Sequence, residues 1–234
     1  MTKGTMYNRE AFLNNIAAKL GRERKRSGVT RPIYETQPQW DVMADYSTDQ
    51  LVDVLKKQCE VIHTDVEETT MEKLPIVIDS VLKKYGAEKA VVWDDPRFSA
   101  FGLDSFLVRE DVDIWGEAPG RENIRISEQA DLGITFADYT LAESGTVVLM
   151  NGVGKGQSVS LLPTYYIGLI PLSTIVPRMS QVTRSIHKEA EAGRRVPSCI
   201  NFISGPSNSA DIELDLVVGV HGPIRATYIL FDDR

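Results

Sequence analysis

Residues 131–163 read DLGITFADYTLAESGTVVLMNGVGKGQSVSLLP, and the apolar run Val147-Val148-Leu149-Met150 near the centre reads as a buried strand. Before it lies a turn of small residues, Ala142-Glu143-Ser144-Gly145-Thr146, which leaves the Glu143 carboxylate uncrowded. After it comes Asn151-Gly152-Val153-Gly154-Lys155-Gly156, whose glycines let the backbone take φ > 0 and approach a ligand closely. A carboxylate at one end of a strand and an anion-friendly loop at the other mark a candidate site.

Working outward, more strand-like runs appear at Ala90–Trp93, Tyr165–Ile170, Ser198–Ser204, Leu216–Val220 and Ala226–Phe231, with shorter ones at Val61–His63 and Val112–Trp115. Helical patterns fall between them. These are Asp49–Cys59, Met71–Tyr85 with Pro75 in its first turn and Gly86 at its end, Phe98–Val108, and a helix opened by Pro177 and running to about Glu191. Continuous apolar strands alternating with helices predict an α/β fold, with a mostly parallel sheet covered on both faces. Ahead of this body, Asn8 is placed to cap a helix reaching about Leu20, with Phe12, Leu13, Ile16, Ala17 and Leu20 on one face and Gly21 as its stop. The polar stretch that follows, with Pro32 and Pro38, reads as a linker. The expected division is 1–40, helix and linker, and 41–234, the α/β domain.

The chain has 234 residues, 42% apolar and 25% charged, enough for a sizeable core. Cys59 and Cys199 are far apart in sequence and form no CxxC pair, which fits a reducing cytosol and leaves no iron–sulfur or Cys-rich zinc site within the chain. Any such cluster belongs to a partner. His63, His187 and His221 show no metal-ligand spacing, so no metal is expected. No apolar run approaches the roughly 18 residues that span a bilayer, and the start, MTKGTMYNREAFLNN, lacks the core of a signal peptide. A cytoplasmic protein without a transmembrane segment is expected. Residues 1–33 carry eight basic groups against two acidic ones, a charge of +6 that leaves −13 for the remainder of a chain whose total is −7. The run Arg22-Glu23-Arg24-Lys25-Arg26 comes with no aromatic platform or reader motif, and the acidic remainder repels phosphate, so nucleic acid is not the expected partner.

Familiar motifs are excluded by their spacing. Gly154-Lys155-Gly156 lacks the earlier glycine and the following Ser or Thr of a phosphate-binding P-loop, and Gln157 breaks the dinucleotide fingerprint. Glu143 remains the best reactive carboxylate, able to attack an acyl group or accept a proton; equally, it reads as the cap or ion-pair partner of its own turn. A second cluster, Ser204-Gly205-Pro206-Ser207-Asn208-Ser209-Ala210-Asp211-Ile212-Glu213, offers hydroxyls and N–H groups that suit an anion nest built on Ser204, Gly205, Ser207 and Asp211. The same residues also read as the N-caps of a helix entered through Asp211 and Glu213. His221, before Gly222-Pro223, is either an acid–base group or a hydrogen-bonded turn residue.

The blocks Asp131-Leu132-Gly133-Ile134-Thr135, Ala142-Glu143-Ser144-Gly145-Thr146, Ser160-Leu161-Leu162-Pro163, Ile203–Ser207, Ala210–Glu213 and Gly219–Pro223 resemble the LUD-domain family, and the start Asn8–Leu13 with Leu20-Gly21-Arg22 resembles that family's N-terminal helix. The resemblance implies a three-layer α/β/α fold similar to the sugar-phosphate isomerase and CoA-transferase superfamily. It also implies an accessory role in bacterial L-lactate oxidation to pyruvate, with no cofactor in this chain and iron–sulfur clusters carried by partner subunits. In the fold-related CoA transferases a glutamate is the covalent nucleophile, and that analogy points to Glu143 and to an alternative reading as an acyl- or CoA-transferase-like or isomerase-like enzyme. A small anionic metabolite is the implied ligand. The chain departs from the family pattern at Gln157, where arginine is expected, and at Tyr166, where histidine is expected.

Overall fold

The computed structural model describes residues 6–30, 33–116, 120–212 and 215–234, apart from the side chains of residues 211 and 212. The chain divides into two compact units, residues 1–37 and 38–234.

The first unit holds helix α1 (Arg9–Lys19). Its stop is as expected: Gly21 is left-handed at φ 64°, and the N–H groups of Gly21 and Arg22 bond the Ala18 and Ala17 carbonyls. Its start differs, since Asn8 is itself left-handed and its side chain caps nothing. Ala17 alone is buried, and Phe12 and Leu20 face solvent.

The second unit opens with α2 (Pro38–Asp41) and α3 (Thr48–Val61), the latter held by a capping box in which Ser47 Oγ accepts the Gln50 N–H and the Gln50 side chain accepts the Ser47 N–H. Strand β1 (Thr64–Thr69) follows, then α4 (Leu74–Tyr85), β2 (Ala90–Trp93), α5 (Arg97–Ala100), α6 (Asp104–Leu107), β3 (Val112–Trp115), α7 (Gly120–Gln129) and β4 (Leu132–Phe136). Next come β5 (Tyr139–Leu141), β6 (Thr146–Met150), α8 (Ser158–Leu161), β7 (Tyr165–Pro171), β8 (Ile175–Val176), α9 (Met179–Glu191), β9 (Ile200–Ser204), the pair β10 (Asn208–Ile212) and β11 (Asp215–Val218), and β12 (Arg225–Phe231).

The expected α/β fold is present. Strands in the order β1-β12-β7-β4-β2-β3 form one six-stranded sheet, every neighbouring pair parallel. Its inner strands are buried almost from end to end, as a parallel sheet covered twice requires. On one face Leu132, Ile134, Phe136, Ile167, Leu169, Ile229 and Phe231 pack under α4, α5 and α6, with Phe98, Phe101, Phe136 and Phe231 in edge or tilted contacts at centroid distances of 4.9–6.3 Å. On the other, Val91, Trp93, Tyr166, Tyr228 and Leu230 meet α3 and a second small sheet, β8-β5-β6-β9.

That second sheet corrects one expectation. The Val147–Met150 strand lies antiparallel between β5 and β9, not in the parallel sheet. Three further corrections follow from local geometry. Val61–His63 is not a strand: Val61 ends α3, Ile62 caps it and His63 turns through φ 55° into β1, whose polar sequence suits a sheet edge. The expected helix Phe98–Val108 is two short helices broken at Gly102, left-handed at φ 73°. Asn208–Ile212 is a strand of a hairpin with β11 and not a helix start; Glu213 lies outside the described residues.

β4 turns Gly133 and Thr135 toward the α8 side, and α8 presses directly onto that gap. A methyl group added at Gly133 would sit 1.8 Å from the Val159 carbonyl oxygen, a backbone atom that cannot step aside. Gly133→Ala should therefore lower unfolding free energy by about 2 kcal/mol or more, while Gly152→Ala, with nothing within 4 Å of the new methyl, should stay within about 0.5 kcal/mol of wild type, both read by urea denaturation.

Candidate functional site

Parallel sheets bind ligands outside the carboxyl ends of their strands, where the strand order reverses. Here the chain steps from β2 outward to β3 and then returns to the opposite side of β2 as β4, so the reversal lies between β2 and β4. Both strands run straight into carboxylates, Asp94 and Asp95 after β2 and Asp138 after β4.

Asp95 is the centre of that position. Its side chain is 1% exposed and meets Arg97 Nη2 at 2.6 Å and Lys155 Nζ at 2.7 Å. Arg97 reaches on to Asp138 at 3.1 Å and donates to the Ala137 carbonyl, while Asp138 also accepts the Met150 N–H at 2.6 Å. Burial alone pushes the Asp95 carboxyl up, but the hydrogen bonds from Arg97 and Lys155 outweigh it and hold the group at about 2. The network locks the glycine loop to the sheet: Asp94 N–H bonds the Gly154 carbonyl, and the Gly156 carbonyl accepts Trp93 Nε1–H at 2.8 Å.

Gly154 and Gly156 therefore serve close packing, whereas Gly152 has open space where a side chain would go. A methyl at Gly154 would press on the Asp94 carbonyl at 2.8 Å, one at Gly156 on the Trp115 ring at 2.1 Å, and Gly152 pairs with Lys155 in a backbone bridge. The loop's cation is committed to Asp95. Gly152 and Val153 also rim a cavity of about 510 Å³ shared with Arg195 and Ser198.

Glu143 lies elsewhere, in the β5–β6 turn. Its carboxylate, 42% exposed, accepts Arg178 Nε–H at 2.7 Å, and Arg178 also donates to the Pro38 carbonyl. The arrangement is the ion-paired turn. The same turn nevertheless leads toward the serine cluster, through Ser144 Oγ to Thr146 Oγ1 and on to Ser204 Oγ, each step 2.7 Å.

Ser204, Gly205 and Ser207 lie together, and the structure brings His221, read separately from the sequence, to the same place. With Ser160, Tyr166, Asn208 and Pro223 they line a cavity of about 250 Å³ at the amino-terminal side of β7 and β12. Ser207 Oγ accepts the His221 backbone N–H at 3.2 Å, which leaves its own proton to donate. Tyr228 supports the floor by accepting the Gly205 N–H at 3.2 Å and donating to the Gly145 carbonyl at 3.1 Å; burial raises its phenol far above the usual range. Tyr166 is likewise raised by burial and bonds Thr135 at 2.7 Å. Gln157 bonds Asn201, outside this cavity's lining. Among the described residues no lysine or arginine lines the cavity, and the polar groups it presents are hydroxyl, amide, imidazole and backbone groups. The Asp211 side chain lies outside the described residues.

Sequence reasoning missed Asp95, Arg97, Asp138 and Lys155 as a set. The signal was present in part, as carboxylates placed directly after the apolar runs of β2 and β4.

The LUD-domain model matches residues 42–231. A protein of Halalkalibacterium halodurans named Lactate utilization protein C is 63% identical over 97% of this chain and 98% of its own length. Proteins of the same name from Geobacillus sp. strain WCH70 and Bacillus subtilis strain 168 are 54% and 50% identical, each over the whole of both chains. Among solved structures, a DUF162 family protein from Deinococcus radiodurans matches with a TM-score of 0.56 at 16% identity, covering 80% of this chain and 99% of its own, a likeness of fold.

Because the Asp95 carboxyl is depressed, it stabilises the fold fully above the unfolded value near 3.9, and that stabilisation is lost as pH falls through about 2. Asp95→Asn should thus lower stability at pH 7 by about 2 kcal/mol or more, and the gap from wild type in urea midpoints should close between pH 4 and pH 2.

Proposed function

This chain belongs to the LUD-domain family, and from that premise we propose that it serves L-lactate oxidation to pyruvate as a non-redox accessory subunit working with iron–sulfur partner proteins. The observation that carries the reading is the full-length match, at 50–63% identity, to proteins named Lactate utilization protein C.

The oxidation releases two electrons and two protons, one hydrogen from the hydroxyl-bearing carbon and one from its hydroxyl, and those electrons need an acceptor. The thiols of this chain do not suit a cluster. Cys59, on the buried face of α3, has its thiol pushed up to about 12 by burial, so it stays protonated, whereas clusters bind thiolates, four to a centre. Cys199 is its only companion in the sequence. The electrons therefore pass to partners in this reading. The chain's own contribution is the serine-lined cavity, whose volume lies just below the range of ligand pockets and suits a small metabolite.

Deleting the gene should stop growth on L-lactate and leave growth on pyruvate intact; normal growth on lactate removes the proposal. A complementing Glu143→Gln allele should restore growth, because an exposed ion pair is worth at most about 1 kcal/mol. Failure of that allele, with the variant protein folded, moves the chemistry to Glu143 and favours acyl transfer over the accessory role.

A further inference from the structure

The N-terminal unit contains a charged cavity that neither the serine pocket nor the Asp95 network uses. The left-handed turn at Gly21 reverses the chain after α1, so that residues 22–26 return along the helix. Arg24 then grips Glu10 with two hydrogen bonds, Nη1 to Oε2 at 2.6 Å and Nη2 to Oε1 at 3.0 Å, and a third goes to Asn14. Arg9 and Arg26 approach the same carboxylate at 3.1 and 3.5 Å. One internal carboxylate is held by three guanidinium groups.

Arg22 and Lys25 line the same cavity, of about 360 Å³, and among the described residues neither meets a carboxylate. The floor is apolar, formed by Leu13, Ile16 and Ala17. Five cations surround a single carboxylate over that floor, so the lining asks for negative charge and for an apolar side chain together. We propose that this cup docks an acidic segment of another protein, its carboxylates pairing with Arg22 and Lys25 and an apolar side chain resting on Leu13 and Ile16. Arg24 on Glu10 shows the two-pronged geometry in which such a carboxylate is held.

Other occupants fit less well. A membrane offers a plane, whereas these cations line a concavity and Arg24 is drawn inward onto Glu10. A small phosphate ester leaves the apolar floor uncovered. The cup does not depend on the lactate role, because its occupant is defined by charge and apolar contact alone.

The test uses the full-length chain and a fluorescent synthetic peptide of glutamate and leucine, run beside phosphatidylglycerol vesicles, ATP and duplex DNA. The peptide should bind, weaken as salt is raised, and lose about tenfold in affinity in the Arg22→Glu, Lys25→Glu double variant, since reversing unpaired charges at an interface weakens complementary binding. The variant leaves the grip on Glu10 intact, and circular dichroism with the thermal midpoint checks that both proteins fold alike. Equal peptide binding by variant and wild type overturns the proposal, as does tighter binding to vesicles, ATP or DNA. A dimer in solution that the double variant dissociates overturns it too, by placing the acidic body of a second copy in the cup.

Discussion

A parallel sheet whose inner strands are apolar on both sides must be covered twice, and the rest of the second unit follows from how this chain meets that demand. One face receives the helices that the α/β alternation delivers as a matter of course. The other face receives α3, α8 and a small mixed sheet, the sheet built from segments inserted between β4 and β7 and between β7 and β12. Glu143, the glycine loop, Ser204 and Ser207 all stand on those insertions. The elements that cover the second face are therefore the ones that position the candidate chemistry, and Gly133 fixes how closely they approach.

The same constraint explains what could be read from sequence. Ala90–Trp93, Tyr165–Ile170 and Ala226–Phe231 are continuous apolar runs because both faces of each strand are covered, and such runs are legible without any partner. β1 is an edge strand with Asp65, Glu67 and Glu68 among its six residues, so the apolar signal is absent and the eye falls on Val61–His63 instead. The β10–β11 hairpin was hidden differently. Its serines and asparagine fit an N-cap as well as a strand, and only pairing with Leu216–Val218 decides between them. Charge networks fared worst, because Asp95 finds Arg97 nearby but Lys155 sixty positions on, across two sheets. Ser204 and Ser207 were legible as one cluster and His221 as a separate turn residue, since each turn is rich in small residues; that the fold sets the two turns side by side was not legible.

Magnitudes separate the two regions that compete as functional sites. At the strand-order reversal, Arg97 and Lys155 both have acidic partners and Asp95 is held far toward its charged form, so an incoming anion would have to break a buried pair, a loss of roughly 3–5 kcal/mol. The serine cavity asks for no such rupture. Its hydroxyls are partly free to rotate toward a ligand, and Tyr228 and Tyr166, kept neutral by burial, stiffen its floor through bonds to Gly205 and Thr135. The usual rule for parallel sheets thus points to a position this chain has committed to stability, and the accessible polar cavity lies at the opposite end of the strands.

Charge is distributed in the same divided way. Within the second unit the described cations at the core of the fold are neutralised locally, while the first 33 residues keep an excess of six positive charges beside a remainder at −13. Exposed charge of that kind contributes little to folding, since solvent screens surface pairs and Glu10 already occupies Arg24. It acts on association instead, where a concentrated patch steers an oppositely charged surface and raises the encounter rate, an effect that salt removes. A subunit that carries no redox centre of its own, as proposed here, contributes to an oxidation only by what it binds and what it holds in place. In that proposal the neutral cavity takes a small metabolite and the basic cup a protein, because only the first lacks lysine and arginine in its lining and only the second concentrates them.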